Sequence, residues 1–170
     1  MNGDAFTYRL NVLELAIAAM IATIRQGTNE AAGVENRRDG ATPGEEWDTH
    51  WRGAKAEIAF AQLYNLAPDL TYMPRRGGVD FHTNAGTTVD VKSTDRPEGN
   101  LIARNDAPGE AAVYVLALVD GSDVTLKGYA MAEELFDRSN MRTLYAGGPL
   151  TYFVARDQLH PMPGREEKET

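Results

Sequence analysis

Two acids and a lysine, Asp80, Asp90 and Lys92, stand at a spacing that brings them together. They lie in the stretch from Gly77 to Thr94, which reads as two short strands joined by a turn. Asn84-Ala85-Gly86 supplies the turn, with glycine providing the positive φ that a tight hairpin needs. Side chains alternate across a strand, so Val79 and Phe81, with Val89 and Val91, are expected to face a core. Asp80 and His82 then share the opposite face with Asp90 and Lys92. A face that had only to be wet could carry any polar residues. This one carries what a divalent ion and an attacking water require.

The elements around the hairpin must hold that face. Residues 46–65 read as a helix whose large apolar residues are Trp51, Ile58, Phe60, Leu63 and Tyr64. Gly53, Ala56, Glu57 and Phe60 fall near one face by three- and four-residue spacing. Gly53 and Ala56 are small, so this face is expected to lie close against a sheet and to carry Glu57 inward. Residues 9–26 read as an amphipathic helix with a stripe of Leu13, Ile17, Met20, Ile21 and Ile24. Between the two helices, Gly40-Ala41-Thr42-Pro43-Gly44 is a breaker. A short helix over Asn29 to Arg37 is one reading there; a surface connection, or a flap that brings Arg37 and Arg38 to a phosphate backbone, is another.

After the hairpin, residues 100–104 read as a short strand. Residues 111–119 and 124–130 read as a strand pair across Asp120-Gly121-Ser122-Asp123. Residues 131–137 read as helical and 151–155 as a last strand. The order implies one mixed α/β domain with a central mixed β-sheet flanked by helices. Residues 1–45 would form a helix and connection packed on the core, 46–160 the core itself, and 161–170 a loose charged tail.

Composition narrows the chemistry. The chain has 170 residues, 42% of them hydrophobic and 25% charged, which suits one soluble globular domain. It contains no cysteine, so thiolate metal sites, disulfides and cysteine nucleophiles are excluded, as a reducing cytoplasm would allow. Any metal must be held by oxygen or imidazole. The formal net charge of −8 argues against coating nucleic acid by bulk charge, though not against a local basic groove. The most apolar run, Val12 to Ile24, is too short to span a bilayer and contains Glu14, so no membrane partner is expected. The same acid, with Asp4 ahead of it, argues against a secretory leader.

With Glu57 upstream, the set Glu57, Asp80 and Asp90-Val91-Lys92 resembles the PD-(D/E)XK, or restriction-endonuclease-like, nuclease superfamily. Asp80 matches the first acidic position, Asp90 and Lys92 the second acid and the lysine two residues on, and Glu57 the acid that many members carry on the preceding helix. The helix Gly53-Ala54-Lys55-Ala56-Glu57-Ile58-Ala59-Phe60 and the strand pair leading into Gly128-Tyr129-Ala130 are also similar to it. The likeness spans roughly residues 46 to 155, with Val79 where the family name has proline. It implies a metal-dependent nuclease, such as phage and mobile elements carry.

The chemistry supports the same residue types. Mg²⁺ prefers oxygen ligands and keeps several waters, so one or two carboxylates with a substrate phosphate suffice. Asp80, Asp90 and the Val91 carbonyl, with Glu57 directly or through water, would hold Mg²⁺, with Mn²⁺ able to substitute. The ion would polarise the phosphate and lower the pKa of a bound water, and Lys92 would orient that water and stabilise developing charge. Lys92 could equally make a plain salt bridge to Asp90 or Glu57. Arg52, Lys55, Arg75, Arg76, Arg96 and Arg104 lie in or near these elements and would form a phosphate-binding rim for nucleic acid, with DNA the expected partner. A chain this short would cut two strands as a homodimer or by successive nicks. His82 could touch substrate or simply sit on its strand. His50 and His160 have no spacing partner that suggests zinc. Ser93 and Thr94 could bind phosphate but also suit a strand, Gly77-Gly78 reads as a bend, and no P-loop is present. Two other expectations stand beside the nuclease: a catalytically silent nuclease fold used for binding or assembly, and a hydrolase of non-nucleic phosphate esters.

Overall fold

The hairpin strand that carries Asp90 lies inside a five-stranded sheet whose two faces are covered by different layers. A computed structural model describes residues 6–33, 43–68, 79–104, 109–144 and 146–164. Within them run β1 (Phe6–Arg9), α1 (Val12–Ala31), α2 (Pro43–Tyr64), β2 (Phe81–His82), β3 (Thr88–Thr94), β4 (Leu101–Arg104), β5 (Val113–Asp120), β6 (Asp123–Met131), α3 (Ala132–Leu135), β7 (Met141–Thr143) and β8 (Leu150–Val154). The larger sheet has the order β1-β6-β5-β3-β2. It is mixed, because β3 and β5 pair in parallel while β1–β6, β5–β6 and β2–β3 pair antiparallel. β4, β8 and β7 form a second, antiparallel sheet. The mixed α/β class and the single domain are therefore as the sequence implies.

Alternation along β3 and β5 divides the core in two. Val89, Val91, Val115, Ala117 and Val119 pack with Ile21, Ile58, Phe60 and Leu63 of the two long helices. Tyr114, Leu116 and Ala130 face the other way and pack with Leu101, Ala103, Leu135 and Val154. The two long helices thus cover one face. The opposite face is covered by the second sheet and the short helix α3.

β1 and α1 depart furthest from the expected pattern. β1 is a four-residue strand ahead of the expected helix, which it overlaps at Arg9, and it is fixed by pairing with β6, as Phe6↔Leu126 through Arg9↔Asp123. α1 begins only at Val12, because Asn11 and Glu14 cap each other: the Glu14 N–H donates to Asn11 Oδ1 at 3.0 Å, and the Asn11 N–H donates to Glu14 Oε2 at 2.8 Å. The helix then continues to Ala31, through residues expected to belong to the connection. Its buried side is Glu14, Ala18, Ile21 and Ala22, so small residues let it approach α2. Leu13 and Met20 of the expected stripe are instead 68% and 48% exposed. Residues 34–42, with Arg37 and Arg38, lie outside the described residues.

Smaller differences follow from local contacts. Val79 precedes the strand and packs with the second cluster, not with Phe81 in the first. A Cβ at Gly53 would meet nothing within 4 Å, so close helix packing rests on Ala54, Ala56 and Ala59, each 0% exposed. In β6, Lys127 is an extra residue opposite the Leu116/Ala117 step. Gly128 beside it has φ 145°, and a Cβ there would come 2.6 Å from the His160 carbonyl oxygen. The start of the expected loose tail is tied down: Met162 packs on the first core cluster and Tyr64 Oη donates to the Pro163 carbonyl at 3.1 Å. Among the described residues, no helix is long and apolar enough to cross a membrane.

Candidate active site

Three elements bring the predicted acids to the side of β3 next to β2. β2 is only two residues long, so among the described residues this side of β3 has no partner strand beyond Phe81↔Val89. Asp80 fills that position. Its N–H donates to the Val89 carbonyl at 2.9 Å, and its Oδ2 accepts the Val91 N–H at 2.8 Å. The carboxylate thus takes the place of a strand partner and is held against the Asp90-Val91-Lys92 backbone.

Asp90 and Lys92 share one face of β3, as alternation predicts, and Lys92 Nζ lies 2.8 Å from Asp90 Oδ2. The Asp90 side chain is 12% exposed and that of Lys92 39%, so the lysine head reaches toward solvent over a buried acid. Tyr114 is the register partner of Asp90 on β5, and its ring centroid is 5.9 Å from Lys92 Nζ. Burial first, and then the Asp90 charge, push the Tyr114 hydroxyl up to about 12, so it stays a neutral donor.

Glu57 enters from α2 at 8% exposure, as the spacing of small residues implies. It is met by a residue that the sequence did not single out. Arg25, in the second half of α1, grips both its oxygens, Nη1 to Oε1 at 2.7 Å and Nη2 to Oε2 at 2.6 Å. Burial works against the Arg25 charge. The Glu57 hydrogen bond and charge, with a contribution from Asp80, more than offset it and raise the guanidinium pKa. Helical spacing held the clue: Arg25 falls on the same face as Ala18, Ile21 and Ala22, and a cation on a small-residue face needs a buried acid. His50 lies two helical turns before Glu57 and is also closer to the site than its spacing suggested. Burial first, then the Arg25 charge, lower its pKa, so it is held neutral.

The electrostatic strain of the cluster is concentrated on Asp80. Burial, then the negative charges of Glu57 and Asp90, push its carboxyl up to about 8, against the opposing pull of the Val91 N–H and Lys92. With all three ionised, the carboxylates share two cations, Arg25 and Lys92, which leaves one negative charge in surplus. A divalent cation suits such oxygen donors and would relieve that surplus. Among the described residues, no three carboxylate or imidazole groups are gathered closely enough to enclose an ion as they stand. Asp80 and Asp90, with the main chain between them, are oxygen donors of the type a divalent ion takes.

The expected rim is only partly assembled. Arg52 Nη1 is bound to Asp95 Oδ2 at 2.6 Å, just beyond the end of β3. Arg96 and Arg104 are exposed. Lys55 does not belong to a rim: it is 6% exposed, donates to the Gly121 carbonyl at 2.8 Å, and lies 4.2 Å from the Trp51 ring centroid. Its ammonium joins α2 to the β5–β6 turn. Arg75 and Arg76, with Gly77 and Gly78, lie outside the described residues. His82 is exposed and paired in register with Thr88. Thr94 Oγ1 accepts the Arg96 N–H at 3.2 Å, a local turn bond, and Ser93 is half-buried on β3. His160 is far along the chain from the acids and pairs with Glu134 at 2.7 Å.

Comparison with protein-family models, with curated proteins and with solved structures gives no match to the chain.

Proposed function

We propose that the chain is a divalent-metal-dependent nuclease that hydrolyses phosphodiester bonds in DNA, a member of the PD-(D/E)XK superfamily. The observation that carries this is the Asp80 carboxyl, pushed up to about 8 by burial and by the Glu57 and Asp90 charges. Carboxylates forced together at such a cost are a common mark of a functional site. Asp80, Asp90 and the Val91 carbonyl would hold Mg²⁺, or Mn²⁺ in its place. When bound, the ion would polarise the phosphate and make a hydroxide available near neutral pH. Lys92, paired to Asp90 yet more than a third exposed, is able to swing to the scissile phosphate, orient the attacking water and stabilise the developing charge. Arg96 and Arg104 supply exposed cations for the backbone. A cysteine-free chain suits a reducing cytoplasm.

The test is incubation with supercoiled, linear, branched and single-stranded DNA in Mg²⁺ or Mn²⁺. Wild type cleaves only with metal, and Asp90→Ala and Lys92→Ala each abolish cleavage while keeping the fold. Full activity in either variant refutes the assignment. On supercoiled substrate, a homodimer yields linear product directly, whereas a nicking monomer yields open circles first.

One observation favours a second reading, a nuclease-like fold used for binding without turnover. Glu57 and Asp90 are already satisfied by cations of the chain itself. Absence of any Mn²⁺ binding by the purified protein, with no cleavage of single- or double-stranded DNA, would favour it.

A further inference from the structure

The Arg25–Glu57 pair differs in kind from the Lys92–Asp90 pair. Arg25 is bidentate, its side chain is 21% exposed against 11% for Glu57, and it comes from the small-residue face of α1. A guanidinium does not give up its proton, and its planar fork matches a carboxylate edge to edge. Lys92 makes one hydrogen bond to its acid, is 39% exposed, and sits on a flexible stem. One cation is thus fixed to its acid and the other is free to exchange.

Counting charges shows what this does to a metal centre. Glu57, Asp80 and Asp90 contribute three negative charges, and Arg25 and Lys92 return two. One divalent ion turns the surplus of one negative charge into one positive charge. A second ion would leave three positive charges in a largely buried cluster, where charge is costly unless compensated. Both Glu57 oxygens are meanwhile engaged by Arg25, so this acid cannot turn freely to a second ion.

We infer that Arg25 is a built-in substitute for a second metal ion: it holds Glu57 as its own counter-ion and limits the centre to one divalent ion at Asp80 and Asp90. This rests on the metal-nuclease reading above and assigns Glu57 to Arg25 rather than to the metal. Arg25 is then a positioning residue. Its fixed charge also stabilises the negative charge that gathers when a phosphodiester is attacked beside Asp80, a task otherwise met by a second ion.

The test is Mn²⁺ titration, followed by calorimetry and by the paramagnetic signal of free Mn²⁺, on wild type, Arg25→Gln and the double variant Arg25→Gln/Glu57→Gln. Wild type is expected to bind one ion per chain. Arg25→Gln frees Glu57 and is expected to bind two. The double variant loses one charge of each sign, so it keeps the net charge of the cluster and is expected to return to one ion. Two ions on wild type, one on Arg25→Gln, or none on the double variant would each overturn the inference while leaving a metal site in place. No ion on wild type would overturn both this inference and the metal-dependent reading. Because the double variant removes both members of the buried pair together, it is expected to fold even if Arg25→Gln does not, and any count other than one ion on it overturns the inference.

Discussion

Replacing Asp80 with asparagine should make the metal-free protein more stable, and only above mildly acidic pH. The folded-state pKa of Asp80 is about 8, against an ordinary value of 3.8. The sign follows from proton linkage. Between those values the folded chain holds a proton that the unfolded chain has released, so folding stability falls as pH rises. The contribution is fully present below pH 3.8 and is lost as pH rises through 8. At about 1.4 kcal/mol per pKa unit, raising pH from 5 to 8 would cost on the order of 4 kcal/mol if the whole shift were realised. Asp80 is only partly buried and its charge partners are themselves neutralised in part, so about 2 kcal/mol is the expected loss. Asparagine has nearly the same shape, keeps an oxygen for the Val91 N–H, and does not titrate. Urea denaturation in a chelator at pH 5, 6.5 and 8 should show a falling midpoint in wild type, and a midpoint in Asp80→Asn lacking that loss. Mn²⁺ at pH 8 should restore wild type and leave the variant unchanged, since an ion bound only to the folded state stabilises by mass action. Equal pH slopes in the two proteins would refute the claim that Asp80 carries the surplus charge.

Two further outcomes separate structural from functional charge. Lys55→Ala should lower stability by about 1–2 kcal/mol in chemical denaturation, through the lost Gly121 bond and the stem packed on Trp51, without altering the salt dependence of DNA binding; Arg96→Ala should leave stability alone and reduce the log–log salt slope by about 1. Gly128→Ala should cost about 2–4 kcal/mol, read as a lower thermal midpoint, because it adds a positive-φ penalty to a clash with the His160 carbonyl. A Gly128→Ala protein as stable as wild type would mean that the bulge can relax.

The parts of the site visible in the sequence are those set by short-range periodicity. Asp90 and Lys92 share a face because they are two residues apart in a strand, and Val89 and Val91 are buried on the other for the same reason. Glu57 turns inward because alanines surround it on α2. What was not visible depends on distant segments. β1 has too few residues to show a pattern and exists as a strand only through β6. The α1 stripe misled because the most apolar side of that helix is not its buried side: Ala18 and Ala22 give close approach to α2, while Leu13 and Met20 remain outside. Arg25 carries no local signal of its partner, because Glu57 is 32 residues away and is set against it by the fold. Lys55 sits next to Ala56 and Glu57 in sequence, yet the helical turn sends it to the opposite end of the sheet.

The pairing of β1 with β6 also fixes when the centre can exist. Thr7 and Thr125, joined by a 2.9 Å hydrogen bond, are 118 residues apart. β3 can pair with β5 once the chain is made to residue 118, but β1 has no partner until residues 123–126 of β6 exist, and the β5–β6 pairing that joins them runs to residue 131. The placement of α1 depends on β1, since Tyr8 Oη donates to the Glu14 carboxylate at 2.7 Å. The Arg25–Glu57 pair joins α1 and α2 directly, but it meets Asp80 and Asp90 in the finished sheet only after these long-range contacts form, the slow kind in folding. A nascent chain still on the ribosome would carry all three acids and the lysine but no assembled centre. If the protein cuts DNA, that activity arrives with completion of the fold, and a destabilised variant would lose it before losing its helices.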